Sequence, residues 1–177
     1  GKGRDAIMPP CRFDVIRPAS VEAAVQLLQK LGHTAAVLAG GTDLLRDLRL
    51  GAKHVDTLVS LDKLDGLSGV RHEDGRVHIG PLTTMATLAE TPELTRHWTA
   101  LAEAAAWMGS PQVRNRATFG GNLANARPCA DTAPPAAVLE GELVLQGPSR
   151  QRRVPVDGFM TGPGTTQRAP DELLVDI

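Results

Sequence analysis

Two short segments carry residues whose types and spacing could do chemistry, Ala39-Gly40-Gly41-Thr42-Asp43 and Thr118-Phe119-Gly120-Gly121-Asn122. In each, a glycine pair is followed by a small polar residue. Glycine removes the Cβ that would keep a bulky anion from the main-chain N–H groups, and it admits backbone conformations closed to other residues. Phosphate can then rest against bare main chain. After the first pair, Leu44, Leu45 and Leu48 take helical spacing as far as Gly51. The loop therefore leads into a helix start, where unpaired N–H donors and the positive dipole end favour an anion and the Thr42 hydroxyl adds a bond. Two such loops in one chain point to a ligand with adjacent phosphates, which is a dinucleotide. Glycine pairs also occur in ordinary turns, and neither segment is a G-x-G-x-x-G or a G-x-x-x-x-G-K-[ST] motif, so the Rossmann and nucleotide-hydrolase readings lack their signatures. Around the second pair stand Arg114, Asn115, Arg116, Asn125, Arg127 and Asp131. A polar cofactor needs such hydrogen-bonding groups, and an irregular solvated segment carries them too.

The elements that must position these segments are short and numerous, as 18 Gly and 13 Pro spread along the chain require. Residues 20–31 read as an amphipathic helix, with Ser20 as N-cap and Gly32 as stop. The apolar run 35–39 reads as a strand covered on both faces, and 58–61 as a second strand, giving a strand–helix–strand unit around the first glycine pair. Residues 70–72 and 76–79 alternate around Asp74-Gly75 as a hairpin. Two helices are expected over 83–90 and 92–108, then a stretch without periodicity over 110–135, then strands at 142–146, 152–156 and 172–177.

Composition limits the function classes. The 177 residues are 42% apolar, enough for a domain-sized core, and 19 basic and 20 acidic residues are interspersed to a net charge of −1. Aromatic residues are 3% with no Tyr, which leaves little for base stacking, so nucleic acid is not an expected partner. No apolar run approaches the ~20 residues of a membrane-spanning helix and no signal-type stretch opens the chain, so a soluble, cytoplasmic location without a membrane span is expected. Cys11 and Cys129 are too few for a disulfide framework or a four-thiolate cluster. His33, His54, His72, His78 and His97 lack ligand spacing and read as surface or hairpin residues, Glu103 reads as part of a solvated helix face, and no catalytic pair or metal site stands out.

The run Gly109-Ser110-Pro111-Gln112-Val113-Arg114-Asn115-Arg116-Ala117-Thr118-Phe119-Gly120-Gly121-Asn122-Leu123-Ala124-Asn125 closely resembles the signature of the FAD-binding subunits and domains of molybdenum hydroxylases, the group of xanthine dehydrogenase and aerobic carbon monoxide dehydrogenase. Leu38-Ala39-Gly40-Gly41-Thr42-Asp43-Leu44, Ile79-Gly80-Pro81-Leu82-Thr83-Thr84, Thr161-Gly162-Pro163-Gly164 and Glu172-Leu173-Leu174 follow the same family order, so the resemblance runs from about Phe13 to the end. It implies an α+β fold, the FAD-binding domain of the vanillyl-alcohol-oxidase (PCMH) type. Two α+β subdomains are expected over 13–56 and 57–177, behind an N-terminal extension over 1–12, with FAD between them. Gly40, Gly41, Thr42, Asp43 and Leu44, entered from Val37, Leu38 and Ala39, would form the first pyrophosphate loop. Thr118, Gly120, Gly121 and Asn122 would form the second. Asp131 would hydrogen-bond the cofactor, Met108 would lie near the adenine, and Leu173 and Leu174 would pass the isoalloxazine.

The resemblance also implies partners: a molybdopterin-binding large subunit, a [2Fe–2S] small subunit, and an external acceptor such as NAD, quinone or dioxygen. Family members continue past Ile177 into a C-terminal flavoprotein domain, so truncation, processing and completion by a separate chain supplying that domain are all open. Arg127-Pro128-Cys129 stands where the family more commonly has small residues, adding a cation that could pair with phosphate or with Asp131. Two further accounts stay open beside the electron-transfer subunit: a free-standing FAD-dependent reductase or oxidase of the same fold, and an interaction module that no longer binds FAD.

Overall fold

The structure, a computed structural model, describes residues 12–177; apart from Arg12 the expected N-terminal extension lies outside the described residues, as does Cys11. The first half of the chain runs β1 (Asp14–Ile16), α1 (Val21–Leu31), a single 3-10 turn, β2 (Ala35–Leu38), α2 (Leu44–Arg49), β3 (Thr57–Ser60), β4 (Val70–Glu73) and β5 (Arg76–Ile79). There follow α3 (Met85–Glu90), α4 (Pro92–His97), α5 (Thr99–Trp107), α6 (Pro111–Arg114), α7 (Phe119–Asn125) and α8 (Ala133–Val138). The chain ends in β6 (Glu142–Gln146), β7 (Gln151–Pro155), β8 (Met160–Gly162), β9 (Thr165–Thr166) and β10 (Leu173–Asp176).

The expected strand–helix–strand unit is present and belongs to a parallel sheet of order β1-β3-β2. Successive side chains of a strand point to opposite faces. Val59 accordingly packs with Ala24, Val25 and Leu28 of α1, and Leu58 packs with Leu48 of α2 on the other side. Each of these two fully buried side chains contributes about 2 kcal/mol. β2 is packed on both faces as expected, Ala35 and Val37 toward the α1 core and Ala36 and Leu38 toward that of Leu48 and Leu58, but as an edge strand beside the central β3 it keeps only Ala36 fully buried. β1 leaves no period in the sequence, since Asp14 and Val15 are both exposed. β3 begins at Thr57, so this sheet straddles the 56/57 division expected from the sequence. Ser20 caps α1 through the N–H of Ala23, and Gly32 ends it.

A second sheet, antiparallel in the order β10-β6-β7, faces a larger core in which Met85, Leu88, Phe119, Leu143, Leu145 and Phe159 are fully enclosed. β10 joins the two cores: Leu173 packs beneath α1 and Leu174 into the larger core. The β4–β5 hairpin turns at Asp74 (φ 51°) and Gly75 (φ 73°), the two left-handed positions that a tight hairpin turn demands.

The helix expected over 92–108 is broken at Trp98, whose backbone (φ −127°, ψ 46°) is not helical. Around the break the hydroxyls of Thr91, Thr95 and Thr99 donate to main-chain carbonyls of the preceding turn, an alternative that competes with an unbroken ladder. The stretch 110–135 holds α6, α7 and α8, each shorter than two full turns, so no apolar period accumulates to announce them. No helix among the described residues is long and apolar enough to cross a membrane.

Candidate functional site

The first glycine pair sits where the end of β2 meets the second half of the chain. A Cβ on Gly40 would lie 1.9 Å from the carbonyl oxygen of Arg116, so main chain packs on main chain there. Gly41 has φ +77°, a conformation that L side chains rarely adopt. Among the described residues, the N–H groups of Gly40, Gly41, Thr42 and Asp43 donate to no protein acceptor. A run of unpaired main-chain donors needs another partner, water or an anion.

The second glycine pair is built differently from the expected loop: Gly120 and Gly121 form the first turn of α7. Thr118 caps that helix, and residues 81–85 run alongside it, bonded through Phe119 N–H to Thr83 O (2.9 Å) and Met85 N–H to Ala117 O (2.9 Å). The main-chain N–H donors of residues 119–122 are all engaged. Gly120 N–H meets Pro81 O at 2.9 Å, Gly121 N–H meets Thr118 Oγ1 at 3.2 Å, and Asn122 N–H meets Thr118 O at 2.9 Å. Gly120 is required for close approach, because its Cβ would lie 2.5 Å from Pro81 Cβ. At Gly121 no backbone is close: an added Cβ would press on Thr118 Oγ1 at 2.7 Å, and the next atom, Ala39 Cβ, lies 4.0 Å away. This segment therefore offers an uncluttered wall and the proton of the Thr118 hydroxyl, where the first offers bare amides.

Both segments line one crevice of about 630 Å³. Of the residues expected from the sequence, Val37, Ala39, Gly40, Gly41, Thr42, Asp43, Leu44, Met108, Thr118, Gly120, Gly121, Asn122, Asp131, Leu173 and Leu174 all border it. Leu38 does not; it packs against the small core of Ala36, Leu48 and Leu58. Asn122 is held in place by Thr132, whose hydroxyl donates to its Oδ1 at 2.6 Å, and by a 3.7 Å contact to the Met108 sulfur. The Asp131 carboxylate has no partner among the described residues and stands open to a ligand hydroxyl. Arg114 turns away from this role: its guanidinium donates to the carbonyls of Met108 and Gly109.

Arg127 pairs neither with Asp131 nor with an open phosphate position. It donates to Asp47 and lies 3.5 Å from Asp43, which also accepts from Asn125 Nδ2 at 2.8 Å. The hydrogen bond to Asp47 holds the Arg127 proton more firmly than in an ordinary arginine.

Sequence reasoning missed Arg168, Lys53 and Arg46, cations at the crevice edge that belong to no motif. Arg168 is a support for the 167–172 turn, where it donates to the carbonyls of Ala169 (3.0 Å) and Glu172 (2.6 Å). Burial draws its proton affinity below that of a free arginine. Arg152 grips the carboxylate of Glu172 with two bonds of 2.6 and 2.7 Å, and Ala169 N–H adds a third at 2.8 Å. This knot fixes the start of β10 where Leu173 and Leu174 reach the crevice.

The Arg152 bonds hold the Glu172 carboxyl below the usual glutamate value, while burial opposes them. A depressed folded-state pKa means that the unfolded chain takes the proton first. The pair's stabilisation is therefore complete above the ordinary glutamate pKa and is lost as pH falls through the lower, folded value. Glu172→Gln is expected to cost about 2 kcal/mol at neutral pH. Melting of both proteins between about pH 7 and about pH 3 should show the gap closing on the acid side; a gap that persists unchanged in acid would mean the carboxylate charge is not what holds the turn.

The crevice fits an elongated ligand with a diphosphate: unpaired amides on one wall, a side-chain-free patch and a hydroxyl on the other, and an open carboxylate nearby. Residues 11–177 match the family model described as FAD binding domain in molybdopterin dehydrogenase. The chain is 38% identical over 170 residues to the carbon monoxide dehydrogenase medium chain of Hydrogenophaga pseudoflava, covering 96% of this chain and 59% of that protein. It is 39% identical over 160 residues to the xanthine dehydrogenase FAD-binding subunit of Escherichia coli O157:H7, covering 90% of this chain and 54% of that one. A solved structure of the Hydrogenophaga pseudoflava carbon monoxide dehydrogenase superposes with a TM-score of 0.92 over 96% of this chain and 59% of its own. Quinoline 2-oxidoreductase from Pseudomonas putida 86 gives 0.90 at 27% identity, again over 96% and 59%. The chain thus spans little more than half the length of these relatives.

Proposed function

This chain belongs to the family of FAD binding domains in molybdopterin dehydrogenase, and from that premise we propose that it is the FAD-carrying, electron-transferring part of a molybdenum hydroxylase complex. What supports this reading most is the run of unpaired N–H groups at Gly40, Gly41, Thr42 and Asp43, facing the open patch at Gly121 across one crevice. These amides would hold the diphosphate, with the Thr118 hydroxyl donating to it; Asp131 would accept a hydrogen bond from a cofactor hydroxyl, Met108 would lie near the adenine, and Leu173 and Leu174 would flank the isoalloxazine and keep water from it. When bound, FAD supplies the redox chemistry, since it takes up electrons singly and releases one or two. Electrons come from [2Fe–2S] clusters of a small-subunit partner, supplied by a molybdopterin-bearing large subunit, and leave to an external acceptor such as NAD, quinone or dioxygen.

The test is purification of the native, full-length protein with its associated chains. Flavin absorption bands are expected, with large and small subunits in the same complex and flavin reduction by substrate only when they are present. A lone chain that oxidises substrate by itself, or an intact assembly without flavin bands, would overturn the reading.

A further inference from the structure

The first loop carries an electrostatic contradiction. Its free amides are placed for a diphosphate, yet Asp43 closes that loop and Asp47 follows one helical turn later on the same face of α2. Asp43 borders the crevice and Asp47 lies just outside its lining, so both carboxylates would repel two phosphates there, and with side chains 43% and 21% exposed they are screened only in part. The compensating charge comes from the opposite wall. Ala126, in a left-handed conformation (φ 46°), ends α7 and turns the chain back, and Gly164 N–H holds its carbonyl at 2.8 Å. The next side chain, Arg127, reaches across to Asp47 and to Asp43, and its Nε is buried without a hydrogen-bond partner. Arg46 also approaches Asp47, at 3.5 Å, but it is mostly solvated, which makes it the weaker partner.

We propose that Arg127 sets the affinity of this crevice for FAD as a positioning residue: it offsets one of the two negative charges of Asp43 and Asp47 and draws the two glycine segments together, without itself being the phosphate ligand. This rests on the reading that the crevice holds FAD. It makes the ion pair between the C-terminal end of α7 and the start of α2 a feature by which this chain tunes cofactor retention.

The test is FAD titration of the deflavinated full-length protein, followed by flavin fluorescence, together with melting of each apo form. Arg127→Gln, which keeps length and polarity without charge, is expected to weaken FAD binding about tenfold, equivalent to about 1.4 kcal/mol. Added salt should reduce that deficit in part, by screening the half-exposed Asp43 more than Asp47. Arg127→Gln with Asp47→Asn should recover most of the affinity, because losing one carboxylate with the one cation restores the wild-type net charge of the cluster. Wild-type affinity in Arg127→Gln overturns the proposal, as does a double variant no tighter than the single one, which would make the arginine a direct ligand or a purely structural strut. A wild-type chain that takes up no FAD overturns the parent reading, an outcome distinct from wild-type binding that is indifferent to Arg127.

Discussion

Gly40→Ala is expected to destabilise the protein by about 3 kcal/mol or more and to abolish FAD retention. The new Cβ would stand 1.9 Å from Arg116 O, 2.8 Å from Arg116 C and 3.1 Å from Ala117 Cα. All three are main-chain atoms of the turn between α6 and α7, so no side-chain rotamer can relieve the overlap. Either the end of β2 or residues 116–117 must move, and both line or support the crevice. The control is Gly66→Ala, where φ is +77° but nothing lies within 4 Å, and where only the left-handed backbone penalty of about 1 kcal/mol applies. Urea unfolding of the apo proteins gives the comparison, with flavin content read separately. Equal midpoints for the two variants would show that the approach of the two main chains is not what closes the fold at this point.

Gly121→Val should separate binding from folding. Its Cβ would press on Thr118 Oγ1 at 2.7 Å, a hydroxyl that can rotate away, at the cost of the N-cap bond, about 1 kcal/mol. The added methyl groups would fill the space between α7 and Ala39, where a Cβ already comes within 4.0 Å. A protein that melts near the wild-type temperature but emerges without flavin is the expected result. Gly41→Val is a less clean probe, since φ +77° adds backbone strain to any loss of ligand space. Full flavin occupancy in folded Gly121→Val would falsify the placement of the diphosphate between the two glycine segments.

Much of the framework was legible beforehand. The Ser20-capped helix, the β2–α2–β3 unit and the hairpin at Asp74-Gly75 follow from short-range patterns, caps, periods and turn residues that act within a few positions of one another. The helices of 110–135 were hidden because each is too short to express a period, and the break at Trp98 because an alternative set of hydroxyl bonds leaves no mark in apolar spacing.

The site divides along the same line. The amino-acid sequence by itself determined that two glycine segments, an open aspartate and a leucine pair belong to one family pattern, since residue type and order are enough for that. Only the tertiary structure decided how the two segments differ. Another backbone passes against Gly40 and Gly120, whereas a side chain at Gly121 would meet the Thr118 hydroxyl and then the space before Ala39. The amides of the first segment are free while those of the second are engaged, and Arg127 answers two aspartates rather than a phosphate. These distinctions depend on which distant atoms arrive within a few ångströms, and the reach of steric overlap, hydrogen bonding and partly screened charge is set by distance in space, not by separation along the chain.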